Sequence, residues 1–134
     1  KRKIMLQHFS EFINSDINCG FFINKGISHE IENKILYNSK VSLNIHDAYQ
    51  RVLGLDTNER TFKSLGLNGF LISDSVDSCK EIFPDIPYYN NSGEMKELVQ
   101  HYIKQDLEEI KNKNRKAILE NHTYLNRVKE LLKL

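Results

Sequence analysis

The sequence predicts an α/β domain: a parallel sheet flanked by helices, with a helical segment at its C-terminal end. Two observations point there. Short runs of apolar, β-branched and aromatic residues at 41–45, 69–74 and 86–89 alternate with stretches whose apolar residues recur at helical spacing. After Asn91-Ser92-Gly93 the strand signal stops and three helical faces follow, the first carrying Met95, Leu98, Val99, Tyr102 and Ile103. Strands alternating with helices need crossover connections, and those build a parallel sheet covered on both faces.

The elements follow in order. Ile4, Leu6, Phe9, Phe12 and Ile13 predict a first helix, and residues 17–23, an apolar aromatic run, predict a strand. Ser28 is placed to cap a second helix in which Ile31, Ile35 and Leu36 form the apolar stripe. Residues 41–45 read as the next strand, and 46–56, which hold Gly54 and no secure period, as a mobile loop with one helical turn at most. Asp56 with Glu59 is placed for a capping box, starting a helix from Glu59 to Leu65 that Gly66 closes in the left-handed conformation. A buried strand at 69–74, a short helix at 75–83 stopped by Pro84 and an edge strand at 86–89 complete the sheet. The remaining faces, with Leu107, Ile110, Ile118 and Leu119 and then Leu125, Val128, Leu131 and Leu132, make residues from about 92 to 134 a helical extension of one domain spanning 1–134. The whole reads as a Rossmann-like sheet.

Composition narrows the function. At 134 residues the chain has room for one ordinary core. Its 19 basic and 18 acidic side chains leave no net field to attract nucleic acid. No apolar run approaches the length of a membrane span, and His8, Ser10 and Glu11 interrupt the basic start before a signal sequence can form. Cys19 and Cys79 lack metal-ligand spacing and read as buried free thiols, which suit a reducing cytoplasm, the location expected from the missing export signals.

In an open parallel sheet, ligands bind beyond the carboxyl ends of the strands. Three loops gather there: Asn24, Lys25 and Gly26; His46 and Asp47; and Ser73, Asp74 and Ser75. The helix that begins near Asn58 presents free backbone N–H groups and a positive dipole end, which attract phosphate, and Arg60 and Lys63 add charge. Arg60 in the first turn opposes the macrodipole unless an anion docks beside it, though a solvated cation is the simpler reading. His46 is placed for a general base or a phosphate donor, and equally for an ordinary loop histidine. His8, His29 and His101 fall on helices among polar neighbours and read as solvated, while Phe62 reads as core. No Walker A loop, G-x-G-x-x-G or G-x-S-x-G is present, and no His, Cys, Asp or Glu cluster has metal spacing.

Residues 33–46, then Asn58-Glu59-Arg60-Thr61-Phe62, Gly66, Gly69-Phe70-Leu71-Ile72-Ser73-Asp74, Phe83, and His122-Thr123-Tyr124 with Arg127 resemble the C-terminal domain of group-1-like glycosyltransferases of the CgeB type. The resemblance implies one lobe of a two-lobe GT-B fold. This lobe would hold a nucleotide-sugar donor as substrate, without cofactor or bound metal ion, and an N-terminal acceptor-binding lobe that this chain lacks would complete the enzyme. His46, Asn58, Arg60 and Lys63 would line the donor cleft, with Lys25 and Gly26 near the nucleobase. His122, Thr123 and Tyr124 would anchor the terminal helices, Thr123 as a cap. The family pattern usually continues N-x-R-x-F with glutamate, an acceptor for ribose hydroxyls; Lys63 stands there and carries no acceptor. The expected function is therefore the donor-binding lobe of a sugar transferase, inactive alone. The alternatives are a non-catalytic binding or interaction domain and, behind it, a phosphate-binding regulator.

Overall fold

The computed structural model describes residues 2–22 and 26–133. Among them lie α1 (Arg2–Ile13), α2 (His29–Asn38), β1 (Ser42–Asn44), α3 (Ala48–Leu53), α4 (Glu59–Gly66), β2 (Leu71–Asp74), α5 (Asp77–Ile82), β3 (Tyr88–Tyr89), α6 (Ser92–Tyr102), α7 (Glu108–Asn121) and α8 (Tyr124–Leu131). The sheet is parallel in the order β1-β2-β3. Ser42 pairs with Leu71 and Asn44 with Ser73, and Asp74 pairs with Tyr89.

Every residue of the central strand β2 is buried, and its period of two sends alternate side chains to opposite faces. Phe70 and Ile72 join Phe12, Tyr89, Met95, Val99 and Leu107 in one core, against α1 and α6. Leu71 joins Leu65, Val76, Cys79, Phe83, Ile86 and Ile118 in the other, on the side of α4, α5 and α7. The sheet is thus covered on both sides, and α6 and α7 belong to the cores rather than trailing from them.

Several elements depart from expectation, each for a local reason. Residues 17–22 form no strand, and Ile23 lies outside the described residues. Ile17 and Cys19 instead pack against the first core, and Phe21 meets Phe9 with ring centroids 4.6 Å apart. The apolar run is satisfied by α1, so it needs no ladder. The stretch at 46–56 contains a formed helix, α3, whose Asp47 and Gln50 make a capping box and whose end is turned by Gly54 at φ 66°.

At α4 the cap is Asn58, whose Oδ1 accepts the Thr61 N–H at 3.2 Å, while Asp56 faces Gln50 at 3.4 Å. The left-handed residue after α4 is Asn68, at φ 63°, not Gly66. The Gly69 N–H reaches the Ser64 carbonyl at 2.8 Å and the Asn68 N–H reaches Leu65 at 3.1 Å, the paired bonds of a Schellman turn. That turn presses Gly69 so close that a Cβ there would lie 2.8 Å from the Ser64 carbonyl oxygen.

At the C-terminal end, Thr123 caps α8 as expected, accepting the Asn126 N–H at 3.2 Å. His122 packs on Phe62 and Phe83. Tyr124, however, is 86% exposed and anchors nothing.

Candidate functional site

The carboxyl ends of β1 and β2 are joined by a buried polar network. Asn44 closes β1 and is fully buried, so its carboxamide must find partners inside. It donates to Thr61 at 3.0 Å and to Ser73 at 3.2 Å, and it accepts from the Asn58 carboxamide at 2.8 Å. Its backbone carbonyl accepts the Tyr89 hydroxyl at 2.8 Å. Two residues later His46, also fully buried, sets its Nδ1 2.6 Å from Asp74 Oδ1 and its Nε2 2.9 Å from the Thr57 hydroxyl. Thr57 meets Thr61 at 3.2 Å, and the Thr61 hydroxyl donates to Asn58 at 3.2 Å. An unbroken chain runs from Asp74 at the end of β2 to Asn58 at the head of α4.

Burial alone would push the His46 imidazole down, but its hydrogen bond to Asp74, with help from Cys79 and the charges of both, lifts it to about 9. The ring is therefore an imidazolium at neutral pH, donating from both nitrogens and accepting from neither. Burial pushes the Cys79 thiol up, yet hydrogen bonds from His46, Thr57 and Tyr88 outweigh it and hold the thiol below its ordinary value. His46 acts here as a clamp: it ties β1 to β2 and fixes Thr57, and with it the start of α4.

The Asn58 cap also forms part of the wall of an open cleft of about 250 Å³ between the heads of α2 and α4, lined by His29, Glu32, Asn58, Glu59, Arg60 and Lys63. Lys63 Nζ lies 2.5 Å from Glu32 Oε2. That hydrogen bond holds the Glu32 carboxyl below its usual range. Arg60 is exposed and makes no hydrogen bond or ion pair with any described residue. A second cleft, of about 330 Å³, opens beyond β2 and β3.

The structure thus brings together Asn58, Arg60 and Lys63 in one cleft. It holds His46 behind that cleft rather than in its wall. Gly26, at φ 55°, is exposed and lines neither cleft, and Lys25 lies outside the described residues. Of the histidines read as solvated, His29 and His101 are exposed, but His8 is buried, because α1 turns it onto the Tyr89 ring.

Sequence reasoning missed Asn44, Thr57, Thr61 and Glu32. Asn44 carried a signal, a carboxamide inside an apolar strand. Glu32 carried none, since its partner Lys63 is 31 residues away.

The sequence profile described as glycosyl transferase-like matches residues 20–133. The chain belongs to the glycosyl transferase-like family. Comparison with curated proteins and with solved structures returned no match. The match covers every strand and both the cap and the cleft face of this glycosyltransferase-like domain, leaving only α1 and the turn after it outside. Among its described residues no helix is long and apolar enough to cross a membrane.

Proposed function

We propose that this glycosyltransferase-like domain is the donor-binding lobe of a two-lobe enzyme that moves a sugar from a nucleoside-diphosphate sugar to an acceptor. The observation that carries the reading is Arg60, a cation with no described partner in the first turn of α4, at the cleft it shares with Asn58 and Lys63. In such a transfer the bond between the anomeric carbon and the diphosphate breaks, a bond to the acceptor oxygen forms, and the acceptor loses its proton. Negative charge grows on the departing diphosphate, and a helix N-terminus with an adjacent guanidinium stabilises it.

Lys63 offers no acceptor for ribose hydroxyls, and Glu32 supplies one from the opposite wall. Lys63 holds that carboxylate in place through one oxygen. Lys25 and Gly26, on the approach to α2, are assigned to the nucleobase side, and His46 to positioning α4. The acceptor lobe is a separate part of the enzyme.

The test is calorimetric titration of the chain with UDP, GDP and their sugar conjugates, without added metal. Saturable binding is expected, and Arg60→Ala should weaken it by about 1.5–3 kcal/mol, the contribution of a charge-assisted hydrogen bond. Equal affinity in wild type and variant would remove Arg60 from the site. A second reading, a non-catalytic interaction domain, draws on α8, where Leu125, Val128 and Leu131 are 63%, 50% and 68% exposed on one helix. Absence of nucleotide binding together with capture of a partner through α8 would favour it.

A further inference from the structure

We propose that the cleft beyond β2 and β3 binds a neutral, hydroxyl-rich ring, a saccharide, and does so without a nucleotide. The cleft lies outside the carboxyl ends of two parallel strands, at about 330 Å³ within the ordinary range of small-molecule sites. Its walls come from α1, α3, the loop after β2 and the head of α6, so one wall precedes the segment matched to the family.

Two polar atoms define what it takes. His8 is 6% exposed, with its ring centroid 5.2 Å from that of Tyr89. Its Nδ1 lies 2.7 Å from the Ile4 carbonyl oxygen, which can only accept, so Nδ1 carries the hydrogen and Nε2 of the neutral ring is an acceptor. That Nε2 is buried and has no hydrogen-bond partner among the described residues. Arg51 Nε is likewise buried without a hydrogen bond, its nearest carboxylate oxygen on Asp74 standing 3.9 Å away. The residues that carry them, His8 on α1 and Arg51 on α3, line one cleft.

A hydroxyl group both donates and accepts, so a ring bearing several of them can answer His8 and Arg51 together. The dianion of a phosphate monoester has no hydrogen for His8, and an ammonium group has no acceptor for Arg51. Among the lining side chains one cation, Arg51, faces one anion, Asp74, at 3.9 Å. The Tyr89 ring and Ile4 add the apolar surface that a sugar's C–H face needs.

The test is an NMR titration of the full chain with the methyl glycosides of glucose, galactose, mannose and N-acetylglucosamine, with and without nucleoside diphosphate, reading the His8 ring and the Arg51 Nε–H. The expected result is saturable shifts at both groups with at least one glycoside and no nucleotide. Affinity should fall about fivefold in His8→Phe, which keeps the ring, and in Arg51→Met, which keeps the stem, each loss being that of one hydrogen bond. Both variants should keep the wild-type melting temperature within a few degrees; if one fails to fold, the other still reads the site from a different helix. No shift at tens of millimolar would overturn the proposal. So would shifts seen only when nucleoside diphosphate is present, or binding that survives both variants. Nucleotide affinity at the Arg60 cleft is read in the same titrations, so failure of the donor reading and failure of this one are separate outcomes.

Discussion

Asp74→Asn keeps the size and planar shape of the side chain that clamps β1 to β2 and removes only its charge. In the wild-type protein the carboxylate is 8% exposed and accepts both the His46 backbone N–H, at 3.0 Å, and the ring Nδ1, at 2.6 Å. The imidazole's folded value of about 9 lies above the ordinary 6.5. The pair's contribution is therefore complete below pH 6.5 and is lost as pH rises through 9. At about 1.36 kcal/mol for each pH unit, the interval comes to about 3 kcal/mol. In the variant, burial has no opposing carboxylate and drives the ring below 6.5, so stability stays flat across the window. Cys79 runs the other way, since a thiol held below its ordinary value adds stability as pH rises, so about 3 kcal/mol is an upper bound on the net fall. The measurement is urea unfolding of both proteins at several pH values between 6 and 9.5, with the His46 ring titration followed by NMR. The stability gap should be widest at the acid end and narrow steadily. A constant gap, with a wild-type ring titrating at or below 6.5, would refute the claim that Asp74 holds an imidazolium.

Two further outcomes follow from contacts in the same structure. Gly69→Ala places a methyl group 2.8 Å from the Ser64 carbonyl at the Schellman turn and should cost about 1–3 kcal/mol in chemical unfolding; a neutral result would mean that the α4 terminus can yield. Glu32→Gln removes the charge that pairs with Lys63 and, if Glu32 accepts a ribose hydroxyl, should cut the preference for a ribonucleoside over a 2′-deoxyribonucleoside diphosphate about fivefold. Unchanged discrimination in paired titrations would assign the 2.5 Å contact to stability alone.

Much of the architecture was legible because it rests on patterns internal to short segments. The stripe of α6, the buried run of β2 and the Ser28 and Thr123 caps each involve residues within a turn or two of one another, where periodicity and capping chemistry act. The reading failed where two local signals competed or where an element needed a distant partner. Asp56 and Asn58 are both good cap residues, and the tie from Asn58 to Asn44 at the end of β1 accompanies the choice. The run at 17–22 has strand composition but no ladder partner, so its side chains pack on α1 and the core instead.

The same division runs through the candidate sites. Arg60 near a helix start was visible in the sequence because a first-turn cation is a local fact, whereas Asn58 was named through the family resemblance and the cap was expected at Asp56. The burial of His46 and His8, the Glu32–Lys63 pair and the cleft joining α1 to α3 came only from the fold. The sequence determined an α/β sheet, its covering helices and the family. Tertiary structure alone decided which polar groups meet, because a hydrogen bond 28 residues long in sequence, such as His46 to Asp74, depends on sheet register and has no period to announce it.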